Sequence, residues 1–142
     1  MPLINFGSIL GFAEEMETEQ MVFFAHAAEN PACAEYHAVA NSLAKSAGKR
    51  IKEVQRVRRE NVTEMILETI QDFTRGPFLL ENRETSDLDT KNFTPSALAL
   101  VDRAMHYYDA AAEKLKGQAE VSRALKTLAK KQKKDRKELA KG

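Results

Sequence analysis

Apolar residues recur every three or four positions along most of the chain, which is the pattern of helices with one buried face. The pattern predicts four long helices, over residues 4–29, 34–60, 94–117 and 120–139. The residues expected to face the core are Ile9, Ala13, Met16, Phe24, Ala27, Leu43, Ala47, Val54, Val57, Leu125, Leu128 and Leu139. No stretch has a convincing strand pattern, so the sequence predicts an all-α fold.

Prolines mark two of the predicted helix ends. Asn30-Pro31 closes the first helix, because the residue before a proline avoids the α-helical conformation. Thr94-Pro95 opens the third helix, with threonine as the N-cap and proline at the first helical position.

The predicted second and third helices are far apart in the chain. Asn61 and Glu64 have the spacing of a capping box, which predicts a further helical segment over residues 62–73. Residues 76–93 are rich in charged and turn-forming residues, which predicts an irregular stretch. A long connection is therefore expected between these two helices.

The chain also contains an internal repeat. Residues 12–30 reappear 84 positions later as residues 96–114, and the sequence QMVFF at 20–24 corresponds to AMHYY at 104–108. A second match relates Leu43-Ala44-Lys45 to Leu128-Ala129-Lys130. A helix pair that occurs twice in the same order predicts a single four-helix domain over residues 1–142, with pseudo-twofold symmetry.

The repeat and the long connection resemble the rubrerythrin-like branch of the ferritin-like superfamily, over nearly the whole chain. The resemblance implies an antiparallel four-helix bundle with a long crossover between helices two and three. It also implies two iron or manganese ions in the core. These would be held by one Glu from each of the first and third helices and a Glu-x-x-His from each of the other two.

Most of the ligand positions that the resemblance implies hold other residues in this chain. The positions fall on Glu17, Ala47, Arg50, Val101, Gln132 and Asp135. Alanine and valine cannot bind a metal, and an arginine adds a permanent positive charge. The chain contains no Glu-x-x-His at any position, so no shift of register restores the motif. We therefore expect no metal cofactor and no catalytic residue, with Glu17 and Asp135 as weak candidate ligands.

Four of these side chains are expected to point inward at one level of the bundle: Glu17, Arg50, Gln132 and Asp135. A buried charge without a partner costs several kcal/mol, whereas Arg50 has five donors that the other three side chains can accept. The sequence therefore predicts a side-chain network in place of the metal ions. The alternative is that Arg50 extends along its stem and pairs at the surface.

Composition limits where the protein works. Cys33 is the only cysteine, which excludes an internal disulfide and a multi-cysteine metal site and favours a reducing, cytoplasmic setting. No apolar run approaches the ~20 residues that span a bilayer, so no membrane association is expected.

Charge is distributed unevenly along the chain. Residues 1–44 carry six acids and no Lys or Arg, whereas residues 113–142 carry eleven bases and four acids. Such asymmetry suggests mutual packing of the two ends or self-association. The basic stretch over 130–137 lacks interleaved aromatics, so a solvated helix face is expected rather than a nucleic-acid partner.

Three functional hypotheses follow. The first is a non-catalytic structural or interaction module that forms a homodimer through apolar residues at helix flanks, namely Met21, Phe23, Met105 and Tyr107. The second is a rubrerythrin-like oxidoreductase or peroxidase with a reduced or displaced iron or manganese site around Glu17 and Asp135. The third is a basic-face binder of nucleic acid or of an acidic partner.

Overall fold

The protein is described by a computed structural model that covers residues 6–61, 78 and 91–141. Its elements are α1 (Phe6–Glu29), a short 3-10 helix (Pro31–Tyr36), α2 (His37–Glu60), α3 (Phe93–Lys114) and α4 (Ala119–Lys141). Over these residues the fold is all-helical with four long helices, which confirms the predicted class. Within the same ranges, none of the helices has the length and hydropathy that a membrane span requires.

The second helix begins later than predicted. The Asn30 side chain accepts a hydrogen bond from the Ala32 amide at 2.9 Å and caps the 3-10 helix. Cys33 then departs from helical geometry, with φ −113° and ψ 29°. Tyr36 is the N-cap of α2, with φ −110° and ψ 5°, so α2 begins at His37 rather than at residue 34.

The third helix begins earlier than predicted and also ends earlier. Its N-cap is Asn92, so the predicted cap Thr94 and the adjacent Pro95 both lie within the first turn. Proline is tolerated there because first-turn amides have no acceptor within the helix. At the other end, α3 stops at Lys114 and not at Gly117.

Two predicted segments fall largely outside the described residues. The predicted helical segment over 62–73 lies wholly outside them. Of the predicted irregular stretch over 76–93, the structure describes Phe78 and residues 91–93, where Lys91 and Asn92 form a turn before α3.

The helices pack most extensively as two pairs, α1 with α2 and α3 with α4. In the first pair, Gln55 binds Glu14 at 2.7 Å and His37 meets the carbonyl of Asn30 at 2.6 Å. Residue numbers thus rise along α2 as they fall along α1, and the two helices are antiparallel. The second pair is also antiparallel. In it, Ser122 binds the carbonyl of Ala112 at 2.9 Å and Arg136 binds Asp102 at 2.8 Å.

The core consists of two apolar clusters. One contains Ile9, Met16, Val54, Leu125 and their neighbours, and the other contains Phe24, Ala27, Leu43, Leu139 and theirs. All twelve residues predicted to face the core are buried. Between the two clusters the buried residues of α1, α2 and α4 are mostly polar.

Two of the residues expected at exposed flanks are buried instead. Phe23 packs against Phe93 with ring centroids 5.9 Å apart. Tyr107 donates a hydrogen bond to the carbonyl of Ile9 at 2.7 Å and is covered by Phe78, whose ring centroid lies 5.0 Å away. Half of the residues expected to form the apolar surface of a homodimer are therefore buried within the chain. Among the described residues, Val22 is the large apolar side chain that stands exposed.

Candidate functional site

The six positions at which the resemblance implies metal ligands are all buried. They are distributed over all four helices: Glu17 on α1, Ala47 and Arg50 on α2, Val101 on α3, and Gln132 and Asp135 on α4. Arg50 is only 1% exposed, so the alternative in which its side chain reaches the surface is wrong.

The guanidinium of Arg50 lies at the centre of a buried polar network. Its Nε donates to both carboxylate oxygens of Glu17, at 2.9 and 3.0 Å. Its Nη1 donates to Asp135 Oδ2 at 2.7 Å, and its Nη2 donates to Gln20 Oε1 at 3.1 Å. A single side chain of α2 thus ties α1 to α4 through two buried ion pairs.

Two amides and a phenol complete the network. Gln132 Nε2 donates to Glu17 Oε2 at 2.9 Å, and the hydroxyl of Tyr108 donates to the same oxygen at 2.6 Å. Gln20 Nε2 lies 3.1 Å from Gln132 Oε1 and 3.2 Å from the carbonyl of Leu100. The predicted network is therefore present, and its hydrogen bonds reach all four helices.

Gln20 and Tyr108 are members that the sequence reasoning missed. Gln20 has a readable signal, because it follows Glu17 by three positions on the same helix face. Tyr108 has no such signal. Its target lies 91 residues away in the chain, and only the packing of α3 on α1 brings the two together.

The charges of the network are held in defined states. Burial alone would lower the pKa of Arg50, but the nearby charges and hydrogen bonds of Glu17 and Asp135 raise it above its ordinary value. Arg50 therefore remains a cation at any pH at which the protein folds. Burial and the charge of Glu17 raise the pKa of Tyr108 well above its ordinary value, so the phenol remains a donor.

The pKa of Asp135 shifts in the opposite direction from that of an exposed carboxylate in an ion pair. Burial raises its pKa above the ordinary aspartate value, although the charge and hydrogen bond of Arg50 act in the opposite direction. Glu138 and Glu17 add to the increase through their negative charges. Arg50 thus offsets part of the cost of burying this carboxylate.

The residues do not fit a two-metal centre. Ala47 and Val101 offer no ligand atom, and both carboxylate oxygens of Glu17 already accept hydrogen bonds from protein donors. Arg50 places a fixed positive charge between Glu17 and Asp135. Across residues 6–61, 78 and 91–141, no three His, Cys, Asp or Glu side chains are grouped as a metal ion would need. The arrangement can bind helices together, but it offers no open coordination position for chemistry.

Comparison with protein-family models, with curated proteins and with solved structures found no match to this chain.

Proposed function

We propose that the chain is a ferritin-like bundle in which a side-chain network has replaced the di-metal centre, and that it serves as a non-catalytic structural or interaction module. The observation that carries the proposal is the position of the Arg50 guanidinium. It lies within hydrogen-bond distance of Glu17 and Asp135, the two carboxylates left at the former ligand positions.

The directions of the helices support the ferritin-like part of the proposal. Tyr107 meets Ile9 and Leu100 meets Gln20, so α3 runs antiparallel to α1. Because α2 is also antiparallel to α1, α2 and α3 run in the same direction. A connection between them must then return along a 24-residue helix, about 36 Å in length. Residues 61–92 are numerous enough to make that crossing, as the ferritin-like topology requires.

Charge supports the loss of the metal. A cation about 4 Å from a guanidinium is repelled by about 4 kcal/mol per unit charge at an effective dielectric constant of about 20. Two divalent ions need roughly four carboxylates for neutrality, and this core supplies Glu17 and Asp135. The hydrogen bonds that satisfy these carboxylates would also have to break before a metal could bind.

The test is the metal content of the protein purified without chelator. Elemental analysis should find far less than one iron or manganese per chain. The double substitution A47E/R50H places a Glu-x-x-His on α2 and removes the guanidinium, so it serves as the matched variant and should gain weak metal binding.

Two tightly bound metals in the unmodified protein would overturn the proposal. That result would favour the rubrerythrin-like oxidoreductase or peroxidase with a site around Glu17 and Asp135. The assay for it is metal-dependent turnover of peroxide, which the metal-free module should lack.

The module is further proposed to work in the cytoplasm and as a homodimer. The cytoplasmic setting is supported by the lone, buried Cys33, which needs no oxidising compartment. Two of the four apolar flank residues are buried, which reduces the apolar surface open to a second chain. The remaining support for the dimer is the uneven charge of the chain. Light scattering at several concentrations tests it, and a monomer throughout would refute it.

A further inference from the structure

The fold places the two most basic helices side by side. Helices α2 and α4 are in contact, and Arg50 of α2 binds Asp135 of α4 at 2.7 Å. Lys131 of α4 lies close to Glu53 of α2. The hydrogen bond from Arg56 lowers the pKa of Glu53, and the charges of Arg56 and Lys131 lower it further against the effect of burial. The exposed side of this pair, here called the α2/α4 face, is therefore shared by both helices.

Cations dominate the α2/α4 face. On α2 they recur at helical spacing as Lys45, Lys49, Lys52 and Arg59, and on α4 as Arg123, Lys131 and Lys134. All seven are exposed, and within the described part of the chain none of them forms an ion pair. Glu53 and Glu60 both bind Arg56, which offsets one of their two negative charges. The seven cations without an ion pair still outnumber the negative charge that remains.

The opposite side of the bundle differs in charge. Helix α1 carries Glu14, Glu15, Glu19 and Glu29 and has no Lys or Arg. Phe78, which lies between α2 and α3 in the chain, packs on Tyr107 and receives a hydrogen bond from Arg103, both on α3. These contacts place Phe78 on the α1/α3 side, so it does not cover the α2/α4 face.

We propose that the α2/α4 face binds the phosphate backbone of double-stranded DNA without reading its sequence. The stripe from Lys45 to Arg59 is about 21 Å long at 1.5 Å per residue, and the two helices lie about 10 Å apart. A surface of this size spans about six phosphates of one strand at about 3.4 Å each. The lack of aromatics, which argued against nucleic acid for the stretch over 130–137 alone, does not count against a duplex, because phosphate contacts need only Lys and Arg. The packing of α4 on α2 adds the cations of a second helix to that stretch.

Other polyanionic partners fit less well. Single strands are held by stacking on aromatic side chains, and the cations of this face are not interleaved with any. An anionic membrane surface would need apolar residues beside the bases, but the exposed large apolar residue of the described chain is Val22, on α1. The centre of a protein interface is usually enriched in aromatic residues, and the cations of this face are not interleaved with any.

The proposal is tested with the full chain and a labelled DNA duplex of about 20 base pairs, by fluorescence anisotropy between about 50 and about 200 mM salt. If the face neutralises about five of the roughly six phosphates that it spans, the plot of log affinity against log salt concentration should have a slope of about −4.5. The variant K49Q/K52Q/K131Q removes three cations of the face, so its slope should be less steep by about 2.7 and its affinity at least about tenfold lower.

The matched control is K126Q/K133Q/K137Q, which removes the same net charge from the part of α4 nearer α3, where Arg136 binds Asp102. It should change the slope by less than about one. Equal weakening by both variants would overturn the proposal, as would no binding by the unmodified chain at the lowest salt concentration. Binding to phosphatidylserine vesicles or to a polyglutamate peptide in preference to the duplex would also overturn it. Metal content does not enter this test, so its outcome is independent of the proposed loss of the metal centre.

Discussion

The Nε atom of Arg50 lies 2.9 Å from one carboxylate oxygen of Glu17 and 3.0 Å from the other, in a part of the core where neither side chain reaches solvent. Each charge therefore depends on the other for compensation. Removing one partner of a buried pair leaves an uncompensated charge, which typically costs about 3–5 kcal/mol.

Replacing Arg50 should accordingly be among the most destabilising single changes in the chain. We expect Arg50→Leu to lower the free energy of unfolding by about 3–5 kcal/mol, because it leaves Glu17 and Asp135 buried together without a cation. Urea denaturation followed by circular dichroism measures the change.

Arg56→Leu is the control on the same helix. Arg56 is largely exposed and its partners Glu53 and Glu60 lie at the surface, so its loss should leave the free energy of unfolding nearly unchanged. If both substitutions lowered the free energy of unfolding by the same amount, the Arg50 network would stabilise the fold no more than an exposed ion pair does.

The network should tolerate the loss of all its charges better than the loss of one. The triple substitution E17Q/R50M/D135N removes both carboxylates together with the cation, so no buried charge is left without a partner. We expect it to be more stable than Arg50→Met alone by about 1–3 kcal/mol, since the residues are directly coupled. A triple variant no more stable than Arg50→Met in the same denaturation experiment would contradict the coupling.

How far the sequence predicted this site depends on the kind of signal. The resemblance to rubrerythrin-like proteins implied that Glu17, Arg50, Gln132 and Asp135 lie at one level, and the period of a helix allows each of them to share the inward face of its helix. Charge balance then required the three partners to meet Arg50. Periodicity does not show which distant polar groups a hydroxyl reaches, so the role of Tyr108 was not predictable.

The errors at the flanks have a related cause. Tyr107 stands one position before Tyr108, about 100° around the helix, which predicts a flank position. It is buried because Phe12 of α1 and Phe78, from the connection between α2 and α3, both pack on its ring. A connection without a periodic pattern gives no sequence signal for such a contact. The start of α3 was misplaced for a different reason, since Asn92 and Thr94 are both good N-cap residues.

Gln20 should contribute to stability because it links Arg50 to Gln132. Its amide accepts from Arg50 and lies next to Gln132, so Gln20→Leu leaves a guanidinium N–H and an amide oxygen without these partners. We expect a loss of about 1–3 kcal/mol in the free energy of unfolding. Thr18→Ala, at an exposed position two residues earlier, should have little effect. If the two substitutions were equivalent, Gln20 would be only a filler of space.

Tyr108 provides a test that depends on pH. Its hydroxyl donates to Glu17 at 2.6 Å, so at neutral pH Tyr108→Phe should lower the free energy of unfolding by about 1.5–3 kcal/mol, the usual contribution of a hydrogen bond to a charged group. Thermal or urea denaturation at pH 7 gives this first value.

The difference in stability between the wild type and Tyr108→Phe should then shrink in alkali. Burial and the charge of Glu17 raise the pKa of Tyr108 in the folded state, so the folded chain keeps a proton that the unfolded chain loses above about pH 10. Stability contributed by this group is therefore complete below that pH and falls as pH rises, by at most about 1.4 kcal/mol per pH unit. Phenylalanine has no proton to lose, so the variant lacks this part of the decline. Urea denaturation of both proteins from about pH 8 to about pH 11 measures the difference between their free energies of unfolding. If that difference stayed constant or widened as pH rose, the fold would not be holding the phenol in its protonated form.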